Sequence, residues 1–107
     1  MDQKVHDFID KKIKTESHLE EFFTREVKKA GGWAVKFNPL GTRGLPDRIV
    51  FYHSFTWLVE LKTEKGVVQP VQKNVHELFA THGFKVRIVR NKKQVADFIQ
   101  DMLNMEL

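Results

Sequence analysis

The stretch GLPDRIVFYHSFTWLVELK, from Gly44 to Lys62, holds two runs rich in β-branched and aromatic residues with a short polar turn between them. This pattern predicts a β-hairpin with its turn at residues 53–54. Antiparallel pairing about that turn places Asp47 opposite Glu60. Because side chains alternate along a strand, Lys62 shares a face with Glu60. The hairpin therefore gathers two carboxylates and one ammonium group in one place.

Facing carboxylates repel each other, and they are costly to bury unless a cation lies between them. Hard oxygen ligands at this spacing favour Mg²⁺ or Mn²⁺. An ammonium group one strand step from Glu60 could orient a water molecule for attack on a phosphodiester. The alternative is an edge hairpin whose outer face carries charges, with Glu60 and Lys62 as a surface ion pair of little energetic weight.

The periodicity of apolar residues outside the hairpin predicts further helices and strands. Gly31-Gly32 and Gly83 mark helix ends, and Pro70 marks a helix start. The predicted order is ααβββαβα, with helices over residues 2–14, 15–30, 70–82 and from 92 onward, and strands over 33–37, 48–52, 56–62 and 84–90. These elements predict an α/β fold, a small mixed β-sheet flanked by helices.

Several apolar residues are predicted to lie in the core on the basis of their spacing. The helix over 70–82 is expected to bury Val71, Val75, Leu78 and Phe79. Aromatic residues at strand positions are interpreted as core residues and not as platforms for stacked bases, namely Trp33, Phe37, Phe51, Phe55 and Trp57.

Length and composition indicate one intracellular domain spanning residues 1–107, with its core at 15–100 and an additional helix at 1–14. The 107 residues carry a net charge of +4, and the isoelectric point of about 9.4 favours polyanionic partners such as nucleic acid. The chain has no cysteine, so disulfides and thiolate metal sites are excluded. No apolar run is long enough for a membrane span or a signal peptide.

The residues resemble a known family. Pro46-Asp47 followed by Glu60-Leu61-Lys62 resembles the PD-(D/E)XK nuclease motif. More narrowly, E-S at a helix start, a Gly pair before a strand, G-x-P-D-R, E-L-K and P-x-Q at the next helix start are together similar to the virus-type replication-repair nuclease (VRR-NUC) domains of phages and bacteria. This resemblance implies a restriction-endonuclease-like αβββαβ core with extra N- and C-terminal helices.

The resemblance also implies roles for the motif residues. Asp47 and Glu60 would bind the catalytic Mg²⁺ or Mn²⁺, with the Leu61 carbonyl as a further ligand. Lys62 would position the attacking water and offset charge at phosphorus.

The superfamily adds a glutamate from its first helix, and two residues compete for that part. Glu16 falls within the apolar arc of the helical wheel, which favours it, while Glu20 lies at the edge of that arc. Glu20 has another explanation, because Ser17-x-x-Glu20 matches a capping box.

Several residues near predicted loops are interpreted as contacts to DNA. Arg43, between two glycines, and Lys65 are candidates for contacts to the phosphate backbone. Arg48 could serve similarly or could pair with a helix carboxylate. Gln72 could touch DNA or be a simple first-turn polar residue. His76 and His82 are interpreted as polar groups on a helix surface.

These features predict a metal-dependent DNA endonuclease, and the resemblance implies that it leaves 5′-phosphate and 3′-hydroxyl ends. The resemblance implies branched substrates in DNA repair, and above all Holliday junctions cleaved by a homodimer in the cytoplasm of a bacterium or an infected cell. The alternatives are a flap nuclease, a non-catalytic nucleic-acid-binding module and a nuclease subunit that requires partners.

Overall fold

A computed structural model describes residues 15–37 and 42–105, and these residues form three helices and a four-stranded sheet. The elements are α1 (Glu16–Lys29), β1 (Trp33–Lys36), β2 (Arg48–Tyr52), β3 (Phe55–Leu61), α2 (Pro70–Thr81), β4 (Val86–Val89) and α3 (Lys92–Leu103). The α/β class is confirmed, and each of these elements was predicted, although β4 is shorter than its predicted range. The helix predicted over residues 2–14 lies outside the described residues. Within the described ranges no helix has the length and apolar character that crossing a membrane requires.

Helix α1 begins two residues earlier than a capping box at Ser17 would require. Thr15 is the N-cap, and its hydroxyl accepts a hydrogen bond of 3.2 Å from the His18 N–H. The capping box proposed for Ser17 and Glu20 is therefore wrong, because both residues lie inside the helix. Gly31, with φ of 92°, ends the helix as expected, since a positive φ costs glycine little.

The sheet has the strand order β1-β2-β3-β4. The first three strands are antiparallel, and β4 pairs parallel to β3. A parallel neighbour requires a crossover, which α2 provides. In the hairpin Arg48 pairs with Val59 and Tyr52 with Phe55, which is the register expected from a turn at 53–54.

The core lies between the sheet and the pair α1 and α3. Phe23 of α1 and Phe98 of α3 are fully buried, with ring centroids 5.2 Å apart. Trp57 packs edge-on against Phe98 on the same side of the sheet. The sheet contributes four fully buried aliphatic side chains to this core: Val50, Val59, Leu61 and Val89.

The apolar stripe predicted for α2 is largely exposed, so this prediction is wrong. Val71 is 44% and Leu78 61% exposed, and no residue of α2 is buried. The helix contacts the opposite face of the sheet along one line, where Phe79 packs on Phe37 at 6.2 Å between ring centroids. A crossover helix held along one line leaves the rest of its apolar side chains in solvent.

Two aromatic residues assigned to the core also lie at the surface. Trp33 is 67% and Phe51 38% exposed, and their rings contact each other at 5.9 Å between centroids. Trp33 belongs to the edge strand β1, and the register places it opposite Phe51. Alternation puts both side chains on the face away from the buried Val50, where α2 gives them no cover.

The same substitution, leucine to alanine, can be compared at a buried and at an exposed position of the helices. We expect Leu19→Ala in α1 to lower the free energy of unfolding by about 2 to 5 kcal/mol, because Leu19 is fully buried and truncation leaves a cavity. Leu78→Ala in α2 should change it by less than about 0.5 kcal/mol. Urea unfolding followed by circular dichroism measures both, and similar losses in the two variants would contradict the exposed placement of α2.

Candidate active site

Asp47 is fixed through both its backbone and its side chain. It lies one residue before β2, where its carbonyl accepts a hydrogen bond of 3.0 Å from the Phe37 N–H. Its Oδ2 accepts a hydrogen bond of 2.7 Å from the Leu61 N–H at the end of β3. The hairpin register therefore determines where this carboxylate lies, and one of its oxygens is already used.

Glu60 is the buried charged residue of the sheet. Only 1% of Glu60 is exposed, and its neighbours in β3, Val59 and Leu61, are buried aliphatic residues that both face the opposite side of the sheet. Its Oε2 lies 3.2 Å from Nε2 of His76 in α2. Its Oε1 is buried and has no hydrogen-bond partner among the described residues. A buried carboxylate oxygen without a partner among these residues is costly, so this oxygen is suited to accept a ligand such as a cation.

Glu16 brings a third carboxylate to the same place. It is an exposed residue in the first turn of α1. One carboxylate oxygen from each of Glu16, Asp47 and Glu60 can be chosen so that all three lie within 4.8 Å of one another. The helix start and the hairpin thus converge on one acidic cluster, which we call the carboxylate triad.

Electrostatics in the triad disfavours the ionised form of Glu60. Burial first and the adjacent Asp47 carboxylate second raise the pKa of Glu60 to about 9. Although Glu16 as a residue is exposed, the partial loss of hydration around its carboxylate is the largest cause that raises its pKa, and Asp47 and Glu20 add to it. The Lys62 ammonium opposes both shifts, so a positive charge stabilises the ionised triad.

The donor set of the triad suits a hard divalent cation. Carboxylate oxygens within a few ångströms of one another are ligands that Mg²⁺ and Mn²⁺ accept. The buried Oε1 of Glu60 is the atom that fits a cation best, because a cation would supply the partner that this oxygen lacks among the described residues. Such a cation would also offset both the burial of Glu60, which is the largest cause of its raised pKa, and the repulsion from Asp47 that adds to it.

Glu20 is directed elsewhere by Arg48. The Arg48 Nη2 and Nε lie 3.1 and 3.2 Å from Glu20 Oε1, and both side chains are largely buried. Of the two interpretations of Arg48, the structure therefore favours the partner of a helix carboxylate. The same pair keeps Glu20 out of the triad.

Lys62 follows directly after β3 and is fixed by its backbone. Its N–H donates to the Val89 carbonyl at 3.1 Å and extends the parallel ladder. The Arg90 guanidinium then holds the next loop, donating to the carbonyls of Thr63 at 2.8 Å and Gly66 at 2.6 Å. The chain on both sides of Lys62 is thus fixed to β4.

Other residues chosen from the sequence have simpler positions. Gln72 accepts a hydrogen bond of 2.9 Å from the Gln69 N–H at the start of α2, so it is a first-turn polar residue. Gly44, with φ of 82°, lets the loop before Asp47 lie on α2, since a Cβ there would be 2.7 Å from the Val71 carbonyl oxygen. Arg43 and Lys65 are exposed in loops, with no described contact to the triad.

His76 was assigned to the helix surface, and that interpretation is wrong. Only 13% of its side chain is exposed, because it points into the sheet at Glu60. The helical spacing could have indicated this position in the sequence, because His76 lies four residues after Gln72 and three before Phe79, which faces the sheet. A polar side chain on the inner face of a helix needs a hydrogen-bond partner, and Glu60 provides it for His76.

One solved structure resembles the chain over most of its length. It is a structure described as a VRR_NUC domain, with a TM-score of 0.73 and 30% sequence identity. The match covers 79% of this chain and 94% of the other. No family model matches the chain, and a search of curated proteins finds no match.

The raised pKa of Glu60 predicts how metal-free protein responds to pH. Between the ordinary pKa of 4.5 and about 9, the folded state holds a proton that the unfolded state has released. The contribution of Glu60 to stability is therefore complete below the unfolded pKa and is lost as pH rises, by up to about 1.4 kcal/mol per pH unit.

This pH dependence is tested by measuring the free energy of unfolding in urea, with EDTA present, at pH 5.5 and 8.5 for the wild type and for Glu60→Gln. We expect the stability of the wild type to fall relative to that of the variant as pH rises, because glutamine cannot titrate. Subtracting the variant removes the opposite contribution of His76, whose pKa burial lowers. A difference between the two proteins that is independent of pH would contradict the prediction.

Proposed function

The chain belongs to the family of VRR_NUC domains, and on that premise we propose that it is a metal-dependent endonuclease that hydrolyses DNA phosphodiester bonds. VRR_NUC domains are nuclease domains, so the coarse activity follows from membership of the family. The observation that carries the metal dependence is the carboxylate triad around the buried, unpartnered Oε1 of Glu60.

We assign the metal site to Glu16, Asp47 and Glu60, with the Leu61 carbonyl as a further ligand. Mg²⁺ or Mn²⁺ bound there would polarise the scissile phosphate and lower the pKa of a bound water. Asp47 is suited to this task because the Leu61 N–H holds Oδ2 and leaves the other oxygen available. The hydrogen bonds within the hairpin thus orient a ligand before any ion arrives.

Lys62 is assigned to the attacking water and to the charge at phosphorus. Its charge already acts on Glu16 and Glu60, which supports a position beside the triad. Attack of a water oxygen on phosphorus breaks the bond to the 3′ oxygen, which leaves as a hydroxyl, and the other product carries a 5′-phosphate. An ammonium group in this position stabilises the added negative charge of the transition state.

A surface next to the triad is suited to the phosphate backbone of DNA. A groove lined by Lys36, Phe37 and Asp47 adjoins a second groove along α1 that is lined by Arg25, Lys28 and Lys36. None of these three basic residues forms an ion pair within residues 15–37 and 42–105. Basic side chains on a helix and a strand can contact the phosphates without entering the grooves of the DNA. We therefore expect the protein to recognise the shape of the DNA more than its base sequence. Arg43 and Lys65 extend this interface from their loops.

Branched DNA is the substrate class that we propose within this activity, with the four-way junction as the preferred form. A two-fold junction needs two cuts, which a homodimer with two active sites would make symmetrically. Flaps remain the competing substrate, and inactivity on every DNA form would instead favour a non-catalytic binding module or a subunit that requires partners.

Sedimentation equilibrium tests the proposed homodimer. If it finds only monomer, with and without junction DNA, the arrangement with two active sites is wrong.

Cleavage of a synthetic four-way junction tests the catalytic assignment. We expect Asp47→Asn and Lys62→Ala each to lower the rate by at least about 100-fold, because the first removes a charged ligand of the proposed metal ion and the second removes the ammonium group that would stabilise charge at phosphorus. Lys93→Ala is the matched control, since that side chain is 84% exposed on α3 and its ion pair is with Asp97 of the same helix. Gel assays compare junction, flap and linear duplex with Mg²⁺, Mn²⁺ or EDTA. Cleavage that survives EDTA, or that both site variants retain, would contradict the metal mechanism.

Glu16 and Glu20 are one helical turn apart, and paired variants separate their roles. We expect Glu16→Gln to lower cleavage about 10-fold or more at unchanged stability, because it removes one carboxylate of the triad. Glu20→Gln should lower the melting temperature, since it leaves the largely buried Arg48 guanidinium without an opposite charge, and should retain most of the cleavage rate. The reverse pattern in the same junction assay would transfer the catalytic role to Glu20.

A further inference from the structure

Asp47 and Glu60 are each held by one protein donor at one oxygen. For Asp47 that donor is the Leu61 N–H, and for Glu60 it is the His76 imidazole. We propose that His76 is a positioning residue, which fixes Oε2 of Glu60 and so presents Oε1 to the divalent cation. The inference rests on the proposed function, because it presupposes that the triad binds a metal ion.

The surroundings of Glu60 make His76 the essential contact. Glu60 is almost fully buried, and at Oε2 its carboxylate lies 3.2 Å from Nε2 of His76, whereas its other close neighbour is the carboxylate of Asp47, which repels it when both are ionised. A glutamate with three side-chain torsions can rotate unless its carboxylate is anchored at one oxygen. With Oε2 held, Oε1 keeps its place among the oxygens of Glu16 and Asp47.

The direction of the hydrogen bond follows from the chemistry of the ligand. An ionised carboxylate only accepts hydrogen bonds, so with a cation bound the proton must be on Nε2 of His76. Donation to Oε2 then orients the ligand in the way that outer hydrogen bonds fix metal-binding carboxylates. The 3.2 Å separation fits this role.

The position of His76 is in turn fixed by the start of α2. The Gln69 N–H donates to Gln72 one turn before His76, and the loop at Gly44 lies directly against the Val71 carbonyl. Phe79, one turn after, packs on Phe37. Although Leu78 of α2 is exposed, these contacts hold the side of α2 on which His76 lies, and they keep His76 next to Glu60.

Metal affinity of the free protein tests the proposal without any DNA cleavage. Titration with Mn²⁺, followed by electron paramagnetic resonance, compares the wild type with His76→Ala and His76→Gln. We expect His76→Ala to weaken Mn²⁺ binding about 10- to 100-fold, the usual effect of losing an outer partner of a metal ligand. His76→Gln should stay within a few-fold of the wild type, because the glutamine amide can donate to Oε2. His82→Ala, at the exposed end of the same helix, is the matched control and should bind normally.

Each outcome bears on a different claim. Wild-type affinity in His76→Ala would overturn the positioning role. Equal weakening in the alanine and glutamine variants would also overturn it, in favour of direct coordination of the ion by imidazole. Absence of Mn²⁺ binding by the wild type would overturn the metal site itself, and with it the proposed function. Thermal unfolding in EDTA accompanies each titration, so that the conservative glutamine variant decides the question if the alanine variant does not fold.

Discussion

The hydrogen bond from the Leu61 N–H to Oδ2 of Asp47 joins the fold of this domain to its chemistry. It forms only if the hairpin takes the register in which Arg48 pairs with Val59. A slip of one residue would turn Glu60 to the opposite face and move buried valine and leucine out of the core. The hydrophobic core therefore selects the register, and the register places the two carboxylates side by side.

Strand β3 serves both faces of the sheet. Val59 and Leu61 are fully buried against α1 and α3, while Glu60 between them points to the side of α2. Such a placement costs free energy, because a buried carboxylate has lost its hydration. In the metal-free protein a proton on Glu60 offsets that cost, and in the proposed metal-bound state a cation together with His76 would do so, which would link metal binding to local stability.

The features predictable from sequence are those that local periodicity fixes. Alternation and the polar turn gave the hairpin and its register, and the helical spacing of Leu19, Phe23 and Val27 gave α1 with its buried face. The exposure of Trp33 and the role of His76 depend on how far α2 extends across the sheet, which only tertiary packing decides. Periodicity shows which side of a helix is apolar, and it does not show how much of that side finds a partner.

The pairing of Glu20 with Arg48 affects the charge of the site as well as its geometry. Had Glu20 also turned to the triad, four carboxylates would have faced one ammonium group. With Glu20 held by Arg48, the three remaining carboxylates and Lys62 leave two negative charges when all are ionised. One divalent cation balances that charge, whereas a monovalent ion would leave repulsion within the triad. Arg48 would thus act on the proposed metal site from outside it, by keeping Glu20 away from the triad.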